Sequence, residues 1–236
     1  EIGVRLVGSE MCIRDRKIGI LCACAPEFEP YRKALGGDVR TVCGAKVIEG
    51  TLCAKEVAVL FCGIGKVNAA IGTSTLVRSL NCDRVIMSGA AGAIAKGLHI
   101  GDCVMVSDCI YHDLDPQLIC DYHPEGIDPD FKCAEDIVSI GTAAGMRSGR
   151  TVTGDVFIAD DGRESIIERF DPLCCDMETA AAAHACFLLG VPFNCIRAIS
   201  DTEDEAGLGS FEKNVRFAAE KAFDGVCSVL SEMESI

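Results

Sequence analysis

Two rhythms of apolar residues alternate along the chain. Short, nearly unbroken runs such as Lys17–Ala23 (KIGILCA) mark strands buried on both faces. Lys46–Cys53 and Glu56–Cys62 read as two further strands joined by the Ala54-Lys55 connection. Arg84–Met87, Cys103–Ile110, Thr151–Thr153, Leu173–Met177 and Phe193–Ser200 complete the set. Between them lie stretches with helical spacing: Glu27–Leu35 after Pro26, Val67 to about Ser79, Ala134–Ala144 and a short piece around Ser165–Phe170. Glu178–Leu189 is an Ala-rich helix closed by Gly190. Phe211, Val215, Ala218, Ala222, Val226 and Val229 recur on one face of a final amphipathic helix. Tyr111–Asp130, rich in Asp, His, Pro and Gly, reads as a long functional loop. Strands alternating with helices predict an α/β fold, its mostly parallel sheet covered on both faces. No repeat or linker divides the chain, so residues 17–236 read as a single domain. Glu1–Arg16 has no usable periodicity and is a poor secretory signal; it is expected to be a non-native leader.

Composition narrows the function. The 236 residues carry 22 Lys+Arg against 36 Asp+Glu, a net charge of −14, which argues against binding a nucleic-acid backbone. No apolar run is long enough to span a membrane. Sixteen cysteines could suggest a disulfide scaffold, but such scaffolds are short and poor in core. Here many sit inside apolar runs, as Cys22, Cys24, Cys62, Cys186 and Cys195 do. They read as reduced core thiols of a cytoplasmic protein.

In open α/β sheets, ligands gather beyond the carboxyl ends of the strands, and five such ends carry candidate groups. Asp201 follows the apolar run FNCIRAIS. Partial desolvation there would raise its pKa and make it a proton donor; a helix cap or loop anchor is the structural alternative. Glu178 opens a helix, where it either complements the dipole or grips two neighbouring sugar hydroxyls. Glu27 is either a surface residue of a first helical turn or a base aimed at water. Gly63-Ile64-Gly65-Lys66 is not a Walker motif and reads as a tight turn before a helix. His112, Asp113, Asp115, Asp121 and His123 have metal-ligand chemistry but lack metal-site spacing, and no G-x-S-x-G elbow exists.

Taken in order, eight segments resemble the purine nucleoside phosphorylase/hydrolase superfamily. They are K-I-G-I-L with Glu27 downstream, G-I-G-K-V-N-A-A (Gly63–Ala70), S-G-A-A-G-A (Ser88–Ala93) and G-D-C-V-M-V-S-D (Gly101–Asp108). Y-H-D-L-D (Tyr111–Asp115), T-G-D-V-F-I (Thr153–Ile158), D-M-E-T-A (Asp176–Ala180) and R-A-I-S-D (Arg197–Asp201) follow. The Y-H-D-x-D and R-A-I-S-D segments point to the branch that hydrolyses 5′-methylthioadenosine and S-adenosylhomocysteine to adenine and a thioribose. The resemblance implies a three-layer fold with a mixed, mostly parallel central sheet flanked by helices, no metal or organic cofactor, and a homodimer.

It also implies roles. Asp201 would protonate adenine N7, and Glu27 would activate the attacking water, with Arg197 and the backbone near Ala90 helping to hold that water; Gly92 would bind the substrate. Glu178 would grip the ribose hydroxyls, with Met177 packed on the sugar. Phe157 would stack on adenine, whose edge the Ile158 backbone would read. Ile64, with Ile119 from a second subunit's long loop, would line the alkylthio pocket. Cys24 and Ile119 stand where the superfamily often has Met and an aromatic, which bears on the size of the 5′ pocket, and Ala90 replaces a Ser found in some members, which removes a hydroxyl contact to the water. These departures bear on substrate preference more than on the reaction class. The rival readings are a nucleoside phosphorylase, a hydrolase for another adenosine-like nucleoside, and a non-catalytic nucleoside-binding protein.

Overall fold

The first apolar run becomes β1 (Ile18–Cys22), and all five of its residues are buried. A computed structural model describes residues 17–124, 126–156, 158, 160–202 and 208–233. After β1 come α1 (Ala25–Leu35), β2 (Arg40–Val42), β3 (Ala45–Leu52), β4 (Lys55–Phe61), α2 (Lys66–Arg78), β5 (Arg84–Ala93) and β6 (Cys103–Tyr111). The second half contributes α3 (Pro116–Tyr122), β7 (Phe131–Lys132), α4 (Glu135–Ala143), β8 (Arg147–Thr153) and α5 (Asp160–Phe170). It ends with β9 (Cys174–Asp176), α6 (Thr179–Leu189), β10 (Phe193–Asp201) and α7 (Leu208–Glu232).

The strands form one mixed sheet in the order β10-β6-β8-β9-β5-β1-β4-β3-β2, and β10 also pairs with β5, so one half of the sheet rolls closed. β5 is the hub, parallel to β1 and β10 and antiparallel to β9. Helices α1, α4 and α7 pack together on one face, and α2 and α6 on the other, giving the expected three layers. No described helix is long and apolar enough to cross a membrane.

Several elements differ from the sequence reading. β5 does not stop at Met87 but runs to Ala93, because its small residues lie flat between β10 and β9. The β3–β4 turn is Cys53-Ala54, both at positive φ (49° and 61°), one residue earlier than expected. The Tyr111–Asp130 segment is not wholly loop. β6 continues through Tyr111, and α3 begins at Pro116 because the Asp115 carboxylate accepts the Gln117 N–H (3.0 Å).

Candidate active site

The carboxyl ends of β1, β5, β9 and β10, with the turn before α2, surround one cleft. Glu27 enters it from the first turn of α1, but not as a surface residue, since it is only 4% exposed. One carboxylate oxygen accepts the N–H groups of Ala23 (2.7 Å) and Cys24 (3.2 Å); the other accepts the Ala90 N–H (2.8 Å). The carboxylate therefore stitches α1 to both β1 and β5. Gly89 permits this, because a Cβ there would stand 2.2 Å from the Glu27 oxygen.

Glu178 stands at the N-cap of α6 and accepts the Gly65 N–H at 2.8 Å. Gly65 takes φ +98°, a left-handed region that glycine occupies without strain, and this aims its N–H across the cleft. Burial pushes the Glu178 carboxyl up to about 7; Asp176 and Glu27 add to the rise, while Arg197 and the Gly65 N–H oppose it. Arg197, on β10, is fully buried beneath the cleft. Its Nη2 lies 3.4 Å from Glu178, its Nη1 4.0 Å from Glu27, and its Nε 3.1 Å from Asp176.

Asp201 ends β10 beside Gly92 of β5 and accepts the Ser200 hydroxyl at 2.7 Å. Burial raises its pKa, against the opposing pull of Ser200 and of the Arg163 cation. The cleft thus holds two carboxyls that burial biases toward their protonated forms, Asp201 and Glu178, and a buried guanidinium shared among Asp176, Glu178 and Glu27. Carboxyls set in such unequal surroundings are what general acid–base chemistry requires.

Glu27, Glu178 and Asp201 line this single cleft together with Ile64, Ala90, Gly92, Ile158 and Met177. Phe157 lies outside the described residues. Ile119 lies on α3, buried in the chain's own core, and α3 turns Leu118 and Tyr122 outward. Asp113 pairs with Lys66 (2.7 Å) and accepts the Asp155 N–H (2.9 Å), tying three of the motif segments together. Sequence reasoning missed Arg163 and Phe211 as cleft residues. Both lie on helices outside every motif, whereas Asp176 was placed at a strand end without a role of its own.

A model of the phosphorylase superfamily matches residues 17–231. The chain belongs to that superfamily. Within the superfamily it is 38% identical, over 92% of this chain and 100% of the relative, to a 5′-methylthioadenosine/S-adenosylhomocysteine nucleosidase of Actinobacillus succinogenes. The Neisseria meningitidis nucleosidase of the same name, solved in complex with methylthio-immucillin-A, has a TM-score of 0.83 at 28% identity, covering 92% of this chain and 100% of that one. Futalosine hydrolase of Helicobacter pylori also has a TM-score of 0.83, at 26% identity, covering 93% and 99%.

Proposed function

We propose that this superfamily member hydrolyses the N-glycosidic bond of 5′-methylthioadenosine and S-adenosylhomocysteine, releasing adenine and the 5-thioribose product in methionine salvage. The carrying observation is the convergence of Glu27, Glu178 and Asp201 on one cleft, each on a separate element. Rupture of the C1′–N9 bond leaves positive charge on the ribose and negative charge on the purine. Asp201 gives its proton to N7, so adenine departs neutral. Water adds to C1′ and loses a proton to Glu27, whose oxygens are oriented by three backbone N–H groups. Ionised Glu178 accepts the ribose hydroxyls, and its charge supports the developing cation.

A phosphorylase would need free cations for its phosphate. Arg197 is instead engaged by Asp176, Glu178 and Glu27, and Glu27 would repel the anion. A futalosine-type or other adenosine-like nucleoside is the second reading, supported by the likeness to futalosine hydrolase. We also infer a homodimer. Val67 and Ile71, four residues apart on α2, are 70% and 52% exposed, and Phe187 and Leu188 on the adjoining α6 are 56% and 58% exposed. The many buried thiols suit a reducing cytoplasm. The deciding experiment is chromatography of products from a nucleoside panel, with and without phosphate. Adenine release from methylthioadenosine that phosphate does not affect is expected. Strict phosphate dependence, or turnover of other nucleosides alone, would overturn the proposal.

A further inference from the structure

Asp176 has no part in the scheme above, yet it is the most heavily bonded carboxylate in the cleft. It ends β9 with its side chain 2% exposed. One oxygen accepts the Thr153 hydroxyl (2.7 Å) and the N–H groups of Glu178 (3.1 Å) and Thr179 (3.0 Å). The other accepts the Thr179 hydroxyl, Arg197 Nε (3.1 Å) and the Thr151 hydroxyl (3.5 Å). Six donors fix the carboxylate, and the carboxylate in turn holds the guanidinium by its Nε edge. The Thr179 hydroxyl, itself bonded to Asp176, also accepts Nε (3.2 Å) and Nη2 (3.0 Å); Nη1 donates to the Ala90 carbonyl (3.2 Å) near Glu27, and Nη2 faces Glu178 at 3.4 Å. A bidentate arginine–carboxylate pair closes to roughly 2.7–2.9 Å, so Arg197 is being withheld from Glu178.

We propose that Asp176 is a positioning residue: by anchoring Arg197 it divides one buried cation between Glu178 and Glu27 and stops it from closing on Glu178. The oxygens of Glu178 then stay free to receive sugar hydroxyls, a step that rests on the ribose role proposed above. Burial opposes ionisation of Asp176, but Arg197 and the hydroxyls of Thr179 and Thr153 outweigh it and hold its pKa below the usual value. The other groups facing Glu178 are Glu27 and the thiols of Cys24 and Cys62. Asp176 is faced by His112 and by the thiols of Cys109, Cys174, Cys175 and Cys195. Burial pushes every one of these thiols up, so they stay protonated and uncharged, and the carboxylate–guanidinium set governs the titration.

The test is D176N in the full chain, with glutamate carboxyls enriched in carbon-13 and the Glu178 signal assigned through E178Q. Loss of the neighbouring anion and closure of Arg197 should lower the Glu178 midpoint by about one pH unit. Turnover should fall at least about tenfold with unchanged far-UV dichroism. An unmoved midpoint, with or without lost activity, assigns Asp176 a merely structural role and overturns the proposal. Should D176N fail to fold, T153V, which removes one of the six donors, should move the midpoint the same way by less; no movement overturns it equally. Wild-type protein that releases no adenine while D176N still moves the midpoint would refute the hydrolase reading and leave the Asp176 assignment standing.

Discussion

Replacing Gly89 with Ala tests the Glu27 geometry without altering any charged group. The new Cβ would lie 2.2 Å from the Glu27 oxygen, 2.4 Å from its carboxyl carbon and 2.8 Å from Arg197 Nη1. Ordinary contact begins near 3.4 Å, so the carboxylate must withdraw by about 1 Å. That movement breaks the bond from the Ala90 N–H, at about 1.5–3 kcal/mol for a charged acceptor. Overpacking in a buried site adds about 1–3 kcal/mol. At roughly 2–4 °C per kcal/mol for a chain of this size, melting should drop by roughly 10 °C. The catalytic effect should be larger in proportion, because about 1 Å of misplacement of a reacting group can cost on the order of 10²-fold. Adenine release by G89A, by E27Q and by the double variant should be measured together. If Gly89 acts through Glu27, G89A loses on the order of 10²-fold in kcat, and adding it to E27Q costs little more. Wild-type turnover in G89A, or losses that multiply in the double variant, would refute the reasoning.

Other outcomes follow from the same cleft. D201N should still bind methylthioadenosine but lose on the order of 10²–10⁴-fold in turnover, read by calorimetry beside adenine release, because the raised carboxyl is the proton source. The value of kcat/KM should fall on the acid side of about pH 7 as Glu178 takes up a proton. Because the folded pKa of Glu178, about 7, exceeds its ordinary 4.5, the stability it contributes is complete below 4.5 and lost as pH rises to about 7. E178Q should therefore gain on the wild type in urea melts across that window. Iodoacetamide near neutral pH should label exposed Cys43 while sparing Cys24 and Cys62, whose thiols burial pushes up, and activity should survive; peptide mass mapping reads this.

How much of the molecule was legible in its sequence depends on whether a property is local. β1 and β10 are buried on both faces, so burial writes itself as the unbroken run IGILC and as FNCIRAISD, whose polar members are buried with the rest. The end of β5 has the opposite character. Ser88-Gly89-Ala90-Ala91-Gly92 has the composition of a turn, but its smallness serves the close approach of Glu27 at Gly89 and of Asp201 at Gly92, where a Cβ would lie 2.9 Å from the Asp201 carboxylate. Turn composition and close approach use the same residues, and only the partners tell them apart. The Cys53-Ala54 turn was misplaced by one residue because neither residue signals the positive φ that both adopt.

The same division runs through the cleft. Glu27, Glu178 and Asp201 could be named because each sits at the end of a readable element. The partial burial of Asp201 follows from the run before it, but the burial of Glu27 and the partners of all three could not be read locally. Gly65 reaches Glu178 across 113 positions and Ala90 reaches Glu27 across 63, so the turn before α2 and the end of β5 determine carboxylates far from them in the chain. Asp176 shows the consequence most sharply. In sequence it is a polar neighbour of Glu178; in space it lies against Arg197, 21 positions away, and that contact makes it the counter-charge of the cleft's central cation. A cation held by three carboxylates belongs to no one segment, so a site of this kind can be located from motifs while its proton bookkeeping waits on the fold.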